Sequence, residues 1–122
     1  MPISYELICE QRVVLTIFEG VLREADYVDH WTALGKDENY SSDFNEILDY
    51  TQLRKLDVGV HAIRRIVNNS NFNASTRRAF VTGMYVPAKK LTNAMRSIHI
   101  RRGADVEVFE ILEEAQRWLG IS

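Results

Sequence analysis

Residues 46–63, EILDYTQLRKLDVGVHAI, decide how the chain folds. Glu46 to Tyr50 is a short run with Ile47 and Leu48 at its centre, which reads as a strand delivering Asp49 to its C-terminal end. The polar stretch that follows reads as a loop, and a second Leu-Asp pair, Leu56-Asp57, leads through Val58 and Gly59 into a helix. From Gly59 to Asn69, Val60, Ile63, Ile66 and Val67 fall on one side and His61, Arg64, Arg65 and Asn68 on the other, an amphipathic helix with a basic outer face. Strand, polar loop and helix in this order make the repeating unit of an α/β sheet, and the loop end of such a unit is where ligands bind.

Working outward, the same unit recurs. Towards the N-terminus, Ile3 to Cys9 alternates apolar and polar residues, turns at Glu10-Gln11, and returns as Arg12 to Glu19, an opening β-hairpin that Gly20 closes. Leu22 to Leu34, with Val28, Trp31 and Leu34 near helical spacing, reads as a helix ended by Gly35, and Lys36 to Phe44 as a polar surface loop. Towards the C-terminus, Asn69 to Thr76 (NSNFNAST) is turn chemistry and Arg78 to Met84 (RAFVTGM) a strand buried inside a sheet. Pro87 opens a helix whose inner stripe is Ala88, Leu91, Met95 and Ile98 and which Gly103 stops. Val106 to Phe109 is a last strand and Ile111 to Leu119 a last helix. The order β-β-α-β-α-β-α-β-α predicts a mixed, mostly parallel sheet of about five strands with four helices, right-handed crossovers and an antiparallel edge from the hairpin.

The chain has 122 residues, 46% of them hydrophobic, which fits one domain over residues 1–122 with a single core. No run reaches the roughly eighteen apolar residues of a membrane span, and the N-terminus lacks a signal-peptide pattern, so a cytoplasmic protein without a transmembrane segment is expected. Cys9, the single cysteine, cannot form an internal disulfide and reads as a buried packing residue.

A net charge of -2 conceals a segregation. Between Val58 and Ala104 stand nine basic residues and no Asp or Glu, whereas twelve acidic residues precede Val58 and five follow Ala104. Such asymmetry marks either an anion-binding face or a basic segment that folds against its own acidic flanks. Lys89 and Lys90 sit in the first turn after Pro87, where the helix dipole disfavours cations, so an acidic flank, a partner or a bound phosphate must offset them. The turn from Gly83 to Lys90 is accordingly the candidate anion site, with Arg64, Arg65 and Arg96 as candidate contributors from neighbouring helices.

Other constellations carry less. Asp49 and Asp57 bracket the loop and would suit acid-base or Mg²⁺ chemistry, or would instead serve structure, Asp57 capping the helix that begins at Gly59 and Asp49 satisfying loop backbone. His30, His61 and His99 fall on three different helices without ligand spacing and read as surface or rim residues. With no glycine-rich phosphate loop, no CxxC and no third oxygen ligand, the sequence gives no metal site, no cofactor and no catalytic residue, and a non-enzyme is expected. Nucleic acid is not expected as a partner, because the basic residues lack interleaved aromatic stacking partners.

Three strings resemble the SpoIIAA-like branch of the STAS superfamily, which joins sulphate transporters and anti-sigma factor antagonists. MPISYELI is similar to its opening, ILDYTQL to its third strand ending in Asp, and VEVFEILEEAQRWLG to its closing strand and helix, so the likeness spans nearly the whole chain. The resemblance implies a regulatory domain acting by protein-protein contact. In the family's bacterial regulators a loop resembling Asp-Ser-Ser-Gly carries a phosphorylated serine at the start of the second helix. Here the matching positions are Asp57, Val58, Gly59 and Val60, so that phosphoserine switch should be absent and no phosphorylation is expected there. The rival reading is a binding module for an anionic small molecule or lipid head group, using the basic residues and an apolar cavity beneath Tyr85-Val86-Pro87. The hairpin's edge strand must be covered or paired, which admits a homodimer as readily as covering by the chain's own elements.

Overall fold

The structure, a computed structural model, describes residues 2–70 and 75–121. Its elements are β1 (Ile3–Ile8), β2 (Val13–Arg23), α1 (Glu24–Lys36), β3 (Asn45–Asp57), α2 (Val60–Asn68), β4 (Arg77–Val81), α3 (Val86–Arg101), β5 (Asp105–Phe109) and α4 (Leu112–Leu119). The five strands form one sheet in chain order, β1-β2-β3-β4-β5. β1 runs antiparallel to β2 and every other pair is parallel, as the hairpin followed by strand-helix alternation predicts. Between β1 and β2 a 3₁₀ turn at Cys9–Gln11 ends on Arg12, whose left-handed backbone (φ 54°) reverses the chain.

Alternating strand residues divide the core in two. Val14, Phe18, Leu48, Tyr50 and Phe80 meet Tyr27, Trp31 and Leu34 of α1, Ile66 of α2 and Leu91 and Met95 of α3 in the larger layer. Val13, Ile47, Ala79 and Val81 point to the other face, which α4 covers with Ala115, Leu112 and Trp118. Phe18 stacks on Tyr50 at a centroid separation of 4.1 Å, and the Tyr27 and Tyr50 hydroxyls share a 2.7 Å hydrogen bond inside this layer. Burial raises both phenols above their ordinary range, so both stay protonated.

Several expectations need correction. Gly20 does not end the second strand: it adopts φ +68° at a register shift, and β2 continues to Arg23. Gly35 lies inside α1. The greatest departure is β3, which runs on through the stretch read as a loop, with Arg23 of β2 still paired with Asp57. Gln52, Leu53 and Lys55 keep their place in the ladder because β2 supplies partners, while two register shifts, which pass over Thr51 and Arg54, break the alternation that would have announced a strand. Asp49 is therefore a mid-strand residue. Cys9 is exposed in the hairpin turn, whereas His30 and His99 are buried beneath α1 and α3; only His61 is exposed. Residues 71–74 of the expected 69–76 turn lie outside the described residues.

Candidate functional site

β3 outruns β4: its residues pair with β4 only from Glu46 to Asp49, yet it continues to Asp57. The β4–α3 turn fills part of this step. Gly83, at φ +60°, packs so close to β3 that an added Cβ would touch the Thr51 methyl at 3.5 Å, and the Tyr85 hydroxyl reaches the Arg54 carbonyl at 3.4 Å. Beyond it, the starts of α2 and α3 leave an open apolar groove of about 360 Å³, walled by Leu56, Val58, Val60, Ile63, Pro87 and Lys90. Several apolar side chains are exposed at this end of the sheet: Val60 is 75% exposed, Met84 77%, Val86 56% and Ile111 51%. Met84 and Ile111 lie in the connections that leave β4 and β5, and Val60 and Val86 are the first residues of the helices that follow β3 and β4, so the topology gathers all four at one end of the sheet.

Lys90 lines the groove and has no ion-pair partner among the described residues. Lys89, one position earlier, pairs with Glu110, so an acidic flank of the chain itself offsets its position at the start of α3. Arg64 is exposed on α2, while Arg65 turns towards α1 and holds Glu24 through bonds of 2.8 and 3.0 Å. Arg96 points towards β5, where it binds Glu107 at 3.1 and 3.3 Å and donates to the Val106 carbonyl at 3.1 Å. Three of the five cations are thus tied to carboxylates on different elements, and only Lys90 walls the groove.

Asp57 does not cap α2. The N-cap is Gly59, with no side-chain bond, and Asp57 instead lies 3.8 Å from Arg23, its neighbour on β2. The reason is the length of β3: Asp57 is still in the ladder, two residues too early to reach the first free amides of the helix. Asp49 accepts the Thr51 backbone N–H at 2.9 Å, which keeps its expected role towards backbone but within a strand. Among the described residues no cluster of three or more His, Cys, Asp or Glu is placed to hold a metal ion.

A second constellation escaped the sequence reading. At the opposite, N-terminal end of β3 and β4, Glu46 and Arg78 form a buried ion pair. Thr16 of β2 donates to Glu46 at 2.6 Å, His30 of α1 lies 3.7 Å from the same carboxylate, and the Arg78 guanidinium sits 5.8 Å over the Trp31 ring. Burial alone would raise the Glu46 carboxyl, but Arg78, His30 and Thr16 outweigh it and hold the group below its ordinary range. His99 of α3 borders the same cluster, and burial, with the charge of Arg78 and then Arg102, pushes its imidazole down to about 4. The one signal in the sequence was parity: Glu46 shares its face of β3 with Leu48 and Tyr50, and Arg78 its face of β4 with Phe80. Glu46 lies ten residues before Leu56, about 30 Å along the strand, so this centre is separate from the groove.

Among solved structures, the chain is similar to an uncharacterized protein from the DUF3478 family with a SpoIIAA-like fold from Shewanella loihica PV-4, with a TM-score of 0.57. The likeness covers 96% of this chain and 91% of that one, at 19% identity. The chain has a SpoIIAA-like fold. At that identity the likeness extends to the SpoIIAA-like architecture and not to side chains. No protein-family model matches the chain and no curated protein matches it. The groove lies at the start of α2, where the turn carries Val58, Gly59 and Val60. No helix among the described residues is long and apolar enough to cross a membrane.

Proposed function

We propose that this chain is a non-enzymatic, cytoplasmic regulatory domain that binds an acidic amphipathic segment of a protein partner across the α2–α3 groove, without a phosphoserine switch. The observation that carries the reading is the groove itself. An apolar channel of about 360 Å³ flanked by the exposed side chains of Val60 and Val86 is surface that a solitary soluble domain seldom leaves open. Acidity of the partner follows from charge: Lys90 is the one titratable side chain on the wall, and Arg64 is exposed nearby on α2. A single lysine without a paired acid or base supports binding and not turnover.

Selection of random amphipathic peptides displayed on phage tests this directly. Acidic sequences should be enriched, Val60→Asp should abolish their binding, and Lys90→Glu should shift the preference towards basic sequences. Selected peptides without acidic enrichment, or binding indifferent to both substitutions, would sink the proposal. Lys90 on an apolar channel also favours the rival, an anionic amphiphile with its head group on the lysine. Calorimetric binding of oleate that Lys90→Ala removes, with no peptide selected, would assign the groove to that ligand class instead.

A further inference from the structure

We infer that β1 is the pairing edge of a two-fold homodimer in which the two sheets join through their first strands. The two edges of the sheet are built differently. On β5, Arg96 reaches over the edge strand to occupy the Val106 carbonyl and Glu107, and Asp105 and Glu107 add charge to a strand of only five residues. These are devices that stop another strand from adding. β1 is less protected: Ile3–Ile8 pairs with β2 without a bulge, contains no proline or lysine, and carries a single charge, Glu6.

The register of such a pair follows from the backbone. Glu19 donates its N–H to the Pro2 carbonyl at 2.8 Å, so the even residues of β1 face β2 and Ile3, Tyr5 and Leu7 present N–H and C=O groups outward. Antiparallel pairing of two β1 strands therefore has to match odd residues with odd. A two-fold axis at Tyr5 does so for all three, setting Ile3 against Leu7 of the second copy, Tyr5 against Tyr5, and Leu7 against Ile3. An axis at Glu6 would oppose two glutamates at close range, and one at Ser4 would leave Leu7 unmatched. In the Tyr5-centred register each exposed Ser4 meets Glu6 of the second copy, a hydroxyl against a carboxylate.

The surface beside β1 fits the same arrangement. A groove of about 200 Å³ lies between Pro2 to Tyr5 and the Asp26, Asp29, His30 and Ala33 side of α1. Leu7 of the second copy, opposite Ile3 and on the same face, falls over it, and the symmetry fills the equivalent groove in return. The strand edge alone is less than the roughly 1,000 Å² that a specific interface needs, and the two filled grooves extend it. The axis passes beside His30, whose ring is 5.7 Å from that of Tyr5, so the two α1 helices run antiparallel across it. The acidic first turn of each, with Glu24 and Asp26, then faces the Lys36 end of the other.

Sedimentation equilibrium of the unmodified chain, over concentrations up to about 1 mM, should show a reversible dimer. Ser4→Glu places a carboxylate against Glu6 of the second copy twice over and should weaken the dimer about tenfold, while Ser4→Lys should tighten it by a similar factor. Both changes fall on an exposed position, so circular dichroism and melting should be those of wild type. A chain monomeric throughout the range, or a dimer that neither substitution moves, would overturn the inference.

Discussion

Glu46 and Arg78 stand directly opposite each other on β3 and β4, and their side chains, only 3% and 5% exposed, close an ion pair inside the helical layer. A pair so placed gains little over two apolar residues, because desolvation cancels much of the attraction, but it cannot lose one member cheaply. Arg78→Met should therefore cost about 3–5 kcal/mol, and the double change Glu46→Leu, Arg78→Met should recover most of that. Urea unfolding of the two single and the double variants checks this; additive losses would show that the pair does not act as a unit.

Acidification should act first through His99. Its folded-state value is depressed to about 4, so between the ordinary histidine value near 6.5 and that point the unfolded chain binds a proton that the native state refuses. Stability contributed by the neutral imidazole is complete above about pH 6.5 and falls as the pH drops towards 4, by up to about 3 kcal/mol. The lowered Glu46 carboxyl has the same sign but acts at lower pH: its contribution is present above the ordinary carboxylate range and is lost as that buried group is forced to protonate. His99→Gln should flatten the pH 4–6.5 limb of the stability curve while leaving the more acidic limb. A limb of unchanged slope would clear His99 of the role.

Removing Asp57 should do little. Its contact is an exposed pair with Arg23 at 3.8 Å, and exposed pairs contribute within about 1 kcal/mol. Asp57→Ala is expected to change unfolding free energy by less than about 0.5 kcal/mol. A loss near 2 kcal/mol, the upper range for helix caps, would mean that the carboxylate reaches α2 after all.

Gly59 offers the converse experiment. It occupies the N-cap of α2 with φ -74° and ψ 159°, a conformation open to any residue, and nothing lies within 4 Å of an added Cβ. Gly59→Ser should stabilise by about 0.5–1 kcal/mol, through a side-chain bond to the first turn and a less mobile unfolded chain. The same substitution introduces a hydroxyl at the start of α2. Incubation with a kinase of anti-sigma type should leave the wild-type chain unmodified by mass spectrometry, and stoichiometric phosphate on Thr51, which lies within β3, would contradict that.

What the sequence disclosed, it disclosed through period. The α3 stripe Ala88, Leu91 and Met95 was legible as helical, and of the α2 stripe Ile66 and Val67 were too, whereas Val60, read on the same inner side, is 75% exposed and Ala62 is buried instead; with the strands between them these helices imply the SpoIIAA-like order. The far half of β3 was not legible, because its register shifts set polar pairs, Thr51-Gln52 and Arg54-Lys55, around the inward residues Leu53 and Leu56 and so imitate a loop. From that one misreading came the expectation that Asp57 caps α2. The Glu46–Arg78 centre stayed hidden for a different reason: its members are 32 residues apart, and each alone looks like an ordinary charge at the end of a strand. Charge segregation pointed at Lys89 and Lys90 without distinguishing them. Only tertiary structure sets one on Glu110 and leaves the other on the groove wall.

Because the strands lie in the sheet in the order in which they occur in the chain, each new strand needs only the one before it as a template. A chain emerging N-terminus first can build this sheet outward from its opening hairpin, laying down one strand and its covering helix at a time, without waiting for a distant segment to close it. Assembly would then proceed in one direction and finish at β5, where the Arg96 guanidinium occupies the Val106 carbonyl that another strand would use. Pulse-labelled amide exchange during refolding should accordingly protect the β2–β3 ladder before that of β4–β5.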